Sequence, residues 1–489
     1  MSPEPAANSY RLTRFVFQRL LAFVYLMAFL IALHQYVPLV GERGILPMKL
    51  FLKQVRFWDA PGLFWFNPSD PFIRAVAWGG VALSAIALAG FSDAFGPWVS
   101  AAVWTTLWIF YQSFVNAGQL FYGFGWEMLL LETGFLAIFL GPSNREAPAV
   151  VLVLLRWILF RVMFGAGLIK LRGDACWLDL TCLSYHYETQ PLPNPMSWYL
   201  HKLPLLYHKA EVLFTHFVEL AIPWGYFWPR RLRIACGAGS FFFQVMLIVS
   251  GNLSWLNYIT LVLCIACFDD ALLSCFLPLK TLPVPSMGRT RRGFLYGLAG
   301  LILLLSIPPA VNLVSPVQLM NASFEPLHLV NTYGAFGSVT RKRNEIILEG
   351  TADAAPDEAS EWRAYEFRCK PGDPARRPCV VSPYHYRLDW QIWFAAMNDF
   401  RYNPWMLSVI AKLLQGDRGT LTLFERNPFA SAPPKFIRAL LYEYRFTTPE
   451  ERRRSGAWWS RQLVQEYLPP LSLDNPGYRR ILAAAGWLE

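Results

Sequence analysis

Charged residues are scarce in this sequence of 489 residues. Only 16% of the residues are Asp, Glu, Lys or Arg, whereas about 25% is usual in soluble domains. Hydrophobic residues make up 54%, including 37 Phe and 20 Trp. A chain so poor in charge and so rich in apolar residues is typical of a multi-pass membrane protein, so we expect the lipid bilayer to be a partner.

The sequence also lacks the short motifs of several enzyme classes. It has no Gly-x-Ser-x-Gly nucleophile elbow, no phosphate-binding loop and no dinucleotide fingerprint in a strand–helix context. It has no His-x-x-x-His pair, so we expect no metal site, and no motif predicts a cofactor. The net charge of +10 comes from basic residues spread over short loops, and nucleic acid is not an expected partner.

Long apolar stretches fill the first two thirds of the chain. Each is close to the roughly 20 residues that a helix needs to cross a bilayer. The predicted fold is a polytopic α-helical membrane bundle of about nine spans, residues 1–313, followed by a β-rich soluble domain, residues 314–489. The first predicted span is the apolar run that follows Arg11, Arg14 and Arg19 and ends at about Pro38. The other predicted spans are 72–92, 97–115, 124–141, 149–170, 209–228, 233–251, 255–276 and 292–313.

Proline and charged residues become frequent after residue 316, and no later stretch is long and apolar enough to span a membrane. Residues 436–446 alternate in the manner of a strand. Pro404 suits the first turn of a helix over 403–414. The other predicted elements are strands over 340–349, 362–369 and 387–394 and a helix over 458–468.

The distribution of arginine predicts the orientation in the membrane. Two basic clusters, at 230–233 and 289–292, favour the cytoplasmic side, which places the N-terminus inside and the C-terminal domain on the exported side. Loop 39–71 carries Lys49, Lys53 and Arg56 on the other side, against this scheme. The compact chain and its short polar N-terminus favour a bacterial inner membrane, or the endoplasmic reticulum if the protein is eukaryotic.

The eight cysteines fall into two groups. Four lie inside or at the ends of apolar stretches and are expected to be small buried hydrophobes. The other four lie as two close pairs in polar segments. If those segments face an oxidising compartment, each pair can form a short disulfide loop, Cys176 with Cys182 and Cys369 with Cys379.

A polar cluster is predicted at the outer end of the bundle. Loop 171–208 is stiffened by proline and aromatic residues, so we expect it to be ordered. Charged side chains within spans usually face the bundle interior. This cluster is interpreted as a helix-packing network, as a site for a client chain or lipid, or as a catalytic or metal site. Its candidate residues are Lys170, Arg172, Asp174, His186, Tyr187, Glu188, His208, His216 and Glu219.

Four stretches of sequence resemble the lipase maturation factor family, membrane proteins that help secreted lipases reach their active form. They are GAGLIKLRGD at 165–174, YHYETQPLPNP at 185–195, NTYGAFGSVT at 331–340 and DWQIWFAA at 389–396. The resemblance covers most of the chain. It implies a membrane protein that assists the folding or assembly of exported clients, such as lipases, by binding them.

A second, narrower resemblance keeps an enzymatic alternative open. The pattern Gly165-x-Gly167-x-x-Lys170, on a multi-pass chain followed by a β-rich domain, is similar to vitamin K-dependent carboxylases. That resemblance would make Lys170 a catalytic base. We expect binding without covalent chemistry. An exposed aromatic surface suitable for clients is predicted to include Trp390, Trp393, Phe394, Trp405, Trp458 and Trp459.

Overall fold

The computed structural model describes residues 9–142, 144–277 and 286–488. The ends of the two predicted units, residues 1–8 and 489, lie outside the described residues, as do residues 278–285 of the second basic loop. The helices before the C-terminal region are α1 Arg11–Val40, α2 Met48–Leu52, α3 Asp70–Ala89, α4 Phe91–Ala94, α5 Pro97–Ala117, α6 Gly125–Ala137, α7 Ala149–Arg172, α8 Leu183–Thr189, α9 Pro195–His201, α10 Leu205–His216, α11 Arg230–Ser250, α12 Leu256–Ile265, α13 Asp270–Leu273, α14 Arg289–Leu305 and α15 Ile307–Val314.

Among the described residues, five helical stretches are long and apolar enough to cross a membrane. They are α1, α3, α7, α11 and the continuous stretch Arg289–Val314 that contains α14 and α15. The prediction of about nine spans is therefore corrected to five. Two predicted spans form short helices, since α6 has 13 residues and α12 has 10. A third, 209–228, changes from α10 to a π-helix at Phe217–Ala221 and a 3₁₀-helix at Ile222–Phe227.

The fourth predicted span that is not among these five, 97–115, corresponds to α5. This helix has 21 residues and is long enough to cross a membrane. It carries Trp, Thr, Tyr, Gln and Asn side chains and is not among the helices that meet both the length and the hydropathy requirement for a span. Several of these side chains are buried against the other helices, including Trp104, Tyr111 and Gln112. Length alone therefore overestimated the number of spans.

Helix α11 connects two chemically different ends of the bundle. At its first residue, Arg230 pairs with Asp269 at 2.6 Å, next to Asp270, which accepts the first free N–H groups of α1. At its last residue, the Ser250 carbonyl accepts hydrogen bonds from Gln190 and Ser197 of loop 171–208. The arginine-rich end and the loop end of the bundle are therefore opposite.

The C-terminal region is built on a four-stranded antiparallel sheet. Its order is β2–β1–β5–β6, with β1 Arg343–Thr351, β2 Arg363–Ala364, β5 Phe436–Phe446 and β6 Trp459–Leu471. A second sheet pairs β3 Glu366–Phe367 with β4 Phe424–Arg426. The helices of this region are α16 Arg387–Ala395, α17 Trp405–Leu414, α18 Arg418–Leu421, α19 Pro449–Ser455 and α20 Pro476–Ala484.

Membrane helices followed by a region with β-sheets agree with the predicted order of the fold. The strand predicted over 436–446 is confirmed as β5. Two other predictions were wrong. Residues 387–394 belong to helix α16, whose residues 387–392 are all buried. Of the helix predicted over 458–468, residues 459–468 belong to strand β6, which pairs with β5 along its length.

Buried ion pairs attach the C-terminal region to the helices. Arg387 of α16 pairs with Glu127 of α6 at 2.8 Å, and both side chains are fully buried. Arg161 of α7 pairs with Glu132 of α6 and donates to the Asn331 carbonyl at 2.6 Å. Arg343 of β1 donates to the carbonyl oxygens of Glu188, Gln190 and Pro191 in loop 171–208. We call Arg387–Glu127, Arg161–Glu132 and Arg343 with its three carbonyls the anchors.

Candidate functional site

The end of α7 and the π-helix after α10 bring Lys170 and Glu219 together. Lys170 Nζ lies 2.7 Å from both carboxylate oxygens of Glu219 and 3.3 Å from the Ala166 carbonyl oxygen. Both side chains are buried. The indole ring of Trp177 lies 5.3 Å from Lys170 Nζ, a cation–π distance. An ammonium group with this many acceptors is fully hydrogen-bonded.

Two glycines of the GAGLIKLRGD stretch make this arrangement possible. A Cβ on Gly165 would overlap the Tyr333 carbonyl oxygen, and a Cβ on Gly167 would lie 2.7 Å from Cδ2 of Leu220 and 3.0 Å from Cβ of Glu219. A side chain at Gly165 would require the backbone at Tyr333 to move, and one at Gly167 would displace the side chains of the π-helix. The glycines therefore let the 331–340 segment and the π-helix pack directly on α7, which places Glu219 beside Lys170.

A cavity of about 790 Å³ lies beside the Lys170–Glu219 pair. This volume is within the range of roughly 300–1,000 Å³ that is usual for small-molecule sites. Its walls come from α7, loop 171–208, α10, the π-helix, α11, α12, the 331–340 segment and α16. Of the nine predicted site residues, Lys170, His186, Tyr187 and Glu219 line it.

His186 and Tyr187 occupy the part of the cavity wall formed by α8. The His186 ring is buried against Phe336, with 4.8 Å between ring centroids. Burial, with a contribution from the positive charge of Lys170, lowers the pKa of His186 to about 4, so the imidazole is neutral at pH 7. The Tyr187 hydroxyl donates to Glu211 at 2.8 Å, and His208 Nδ1 lies 3.3 Å from the other oxygen of that carboxylate.

Three of the predicted site residues connect loop 171–208 and the end of α7 to the C-terminal region instead. Asp174 accepts two hydrogen bonds of 2.8 Å from Arg341, which lower the pKa of that carboxyl to about 2. Arg172 donates to Gln318 at 2.9 Å. Glu188 accepts the backbone N–H of Phe446 at 2.6 Å, and burial raises its pKa.

The ninth predicted site residue, His216, lies behind the pair. Its Nε2 is 3.1 Å from the Trp177 carbonyl oxygen. The nine residues thus form separate groups around the cavity and under loop 171–208, rather than one network. Among the residues that the structure describes, no group of three or more His, Cys, Asp or Glu side chains is placed to hold a metal ion.

The predicted cysteine pairs are joined in the structure. Cys176 is bonded to Cys182 and Cys369 to Cys379. The predicted aromatic surface is wrong in most of its members, because Trp390, Trp405, Trp458 and Trp459 are buried in the core. Phe394 is 40% exposed and lies at the cavity wall.

The anchors are polar residues that sequence reasoning did not assign as a group. Glu127 and Glu132 lie in the predicted span 124–141, whereas their partners Arg387 and Arg161 lie in a predicted strand and in another predicted span. The sequence does indicate that such pairs exist, because acidic and basic residues both occur in neighbouring apolar stretches. Buried charges need partners of opposite sign. That signal alone does not indicate which residues pair across a long stretch of chain.

Comparison with known proteins places this architecture in a family. The Lipase maturation factor transmembrane domain profile matches residues 12–275, and the Lipase maturation factor C-terminal domain profile matches residues 329–469. No solved structure gives a significant match. The comparisons do not show the bacterial origin or the resemblance to carboxylases.

The similar curated proteins come from animals. Lipase maturation factor 1 of Bos taurus is 46% identical over 519 residues, covering 96% of this chain and 91% of its own. The Homo sapiens protein of that name is 44% identical, covering 98% and 91%. Lipase maturation factor 2 of Homo sapiens is 31% identical, covering 98% and 85%. With this similarity along nearly its whole length, the chain belongs to the lipase maturation factor family and is a multi-pass membrane protein.

Proposed function

We propose that this protein assists the maturation of exported lipases by binding them without covalent chemistry. One observation carries the proposal: 96–98% of the chain aligns at 44–46% identity with proteins named Lipase maturation factor 1. The alignment includes both the membrane helices and the C-terminal region. A secreted lipase, or another exported protein, is therefore the proposed client.

The geometry around Lys170 supports binding over catalysis. A general base needs a free lone pair directed at its substrate. The Lys170 side chain instead directs its N–H groups to two Glu219 oxygens and one carbonyl oxygen. The alternative of an enzyme related to vitamin K-dependent carboxylases, with Lys170 as base, has the short glycine–lysine pattern and the general layout of the chain in its favour. We assign Lys170, Glu219, His186 and Tyr187 to a binding site.

The proposed orientation places the C-terminal region in the exported compartment. The arginine-rich end of the bundle, with Arg230, lies opposite the end that contacts the C-terminal region. Basic residues favour the cytoplasmic side. We propose two units, residues 1–313 and 314–489, in the membrane of the endoplasmic reticulum, because the similar proteins are from animals and because disulfides persist in that compartment.

The proposal is tested in cells that lack lipase maturation activity and secrete a lipase together with an unrelated reporter protein. Introducing the full chain should raise the activity of the secreted lipase per lipase molecule and leave the reporter unchanged. Equal effects on both secreted proteins would indicate a general effect on secretion. No rise in lipase activity, with the chain present in the membrane, would contradict the proposal.

A further inference from the structure

The cavity beside Lys170 reaches the exposed face of α11. Val245 and Val249 both line it, and they are 37% and 49% exposed. Both lie on α11, one of the five helices long and apolar enough to cross a membrane. A side chain on such a helix that is both exposed and cavity-lining marks an opening to the acyl chains of the bilayer. Lipid can therefore enter from the side.

The cavity has no surplus positive charge. The charged residues in its described wall are Lys170, Glu211 and Glu219. Lys170 is paired with Glu219, and Glu211 accepts from Tyr187 and lies beside His208. The neighbouring imidazole of His186 is neutral at pH 7, because burial lowers its pKa to about 4. A fatty-acid carboxylate or a lipid phosphate would find no cationic partner here, so the cavity favours an uncharged molecule.

A buried amide in the cavity wall is poorly satisfied. Gln244 is only 4% exposed, and its amide nitrogen donates to the sulfur of Met163 at 3.4 Å. Thioether sulfur is a weak acceptor, and each side-chain amide has two N–H donors. The Gln244 carbonyl oxygen is already used by Asn257 at 2.8 Å. The amide nitrogen of Gln244 therefore lacks a strong hydrogen-bond acceptor, such as an ester carbonyl or hydroxyl oxygen.

We propose that the cavity binds one uncharged lipid of the acylglycerol kind, with its apolar chains among the aromatic and aliphatic walls and an oxygen of its head group at Gln244. The volume suits a small amphiphile, the opening on α11 faces the bilayer, and the paired charges exclude anions. Lys170, Glu219, His186 and Tyr187, assigned above to a binding site, line this cavity, and its occupation by lipid is tested without a lipase client.

The direct test uses the full chain in phosphatidylcholine nanodiscs and photoreactive lipids. Diacylglycerol with a diazirine in one acyl chain should label peptides of the cavity wall, and excess unlabelled diacylglycerol should suppress this labelling. Oleic acid and phosphatidylcholine with the same diazirine should label lipid-facing peptides without saturation. Equal, unsaturable labelling by all three probes would overturn the proposal, as would saturable labelling by oleic acid alone.

Three variants separate the cavity from ordinary lipid contact. Val249→Trp fills the opening and should weaken diacylglycerol labelling by about tenfold. The matched control, Val311→Trp, changes a valine that is 60% exposed and does not line the cavity, and should leave labelling unchanged. Gln244→Leu should weaken labelling by roughly fivefold. A loss of labelling in Val311→Trp would contradict the proposed entry path. Unchanged labelling in Val249→Trp would contradict it as well.

A further variant tests why the cavity prefers uncharged lipid. Glu219→Gln leaves the Lys170 ammonium without its carboxylate, so the cavity gains a positive charge. Oleic acid should then label the cavity wall in a saturable manner, which it should not do in the unmodified protein. If Glu219→Gln leaves the labelling by oleic acid unchanged, the paired charges do not set the preference for uncharged lipid, and that part of the proposal is wrong.

Discussion

Glu127 and Glu219 are both buried carboxylates that face a buried cation, yet their surroundings differ. Arg387 pairs with Glu127 from 260 positions away, and its guanidinium lies 3.4 Å from the Tyr122 ring centroid. Neither Glu127 nor Arg387 lines the cavity beside Lys170. Lys170 and Glu219 instead line a cavity of about 790 Å³. A buried cation–carboxylate pair therefore connects distant parts of the chain at Arg387–Glu127, and borders open space at the proposed binding site.

The largest expected effect comes from breaking an anchor. Arg387→Ala leaves the Glu127 carboxylate buried without its cation, which should cost about 3–5 kcal/mol of stability. The measurement is thermal unfolding of the purified protein in detergent, together with the folded yield. Lipid labelling of the cavity wall should fall only in proportion to the fraction of protein that is unfolded.

The matched control for that variant is an exposed pair of the same chemistry. Arg363 and Glu361 lie 2.9 Å apart, with both side chains at least half exposed. Arg363→Ala should leave the stability close to that of the unmodified protein, because water solvates the remaining carboxylate. Equal effects of the two variants would remove the distinction between an anchor and a surface ion pair.

One disulfide lies in loop 171–208, beside the cavity, and the other lies in the C-terminal region. Cys176–Cys182 closes a loop beside Lys170, whereas Cys369–Cys379 lies next to α16, where Asp389 accepts the Cys369 N–H at 2.6 Å. Removing either should cost about 2–3 kcal/mol from loop-closure entropy. We expect Cys176→Ser to alter lipid labelling as well, and Cys369→Ser to alter stability alone. Free thiols at these positions, found by mass spectrometry of non-reduced peptides, would contradict both assignments.

A smaller effect is expected from pH at the cavity side. The pKa of His186 is lowered to about 4 in the folded protein, so the unfolded chain binds more protons between about pH 4 and the ordinary value of 6.5. Its contribution to stability is therefore complete above pH 6.5 and is lost as the pH falls toward 4. At pH 5 this loss is about 2 kcal/mol.

The variant for this prediction is His186→Phe, which keeps an aromatic ring but cannot be protonated. Its stability should fall less between pH 7 and pH 5 than that of the unmodified protein. A remaining decline is expected, because burial also lowers the pKa of His201 and of His328 to about 4. An unchanged pH dependence in His186→Phe would show that this imidazole is not buried as described.

The sequence predicted those features that depend on local pattern or on the cost of buried charge. Strand β5 was predicted because its side chains alternate, and Lys170 and Glu219 because a charge within an apolar stretch needs a partner. Helix α16 was missed because its buried first two turns give no amphipathic pattern. Strand β6 was missed because residues 461–466 are exposed and its conformation depends on pairing with β5. The anchors were missed because their partners are far apart in the chain.

The central claim is that Lys170 is a paired cation of a binding site and not a catalytic base. The decisive measurement is lipase maturation activity per folded molecule for Lys170→Arg, taken together with thermal stability in detergent. Arginine retains the charge and the donors toward Glu219, although it is not equivalent to lysine at a tight site. We predict a less stable protein with residual activity. A protein as stable as the unmodified chain but without activity would contradict the account, because arginine cannot act as a base.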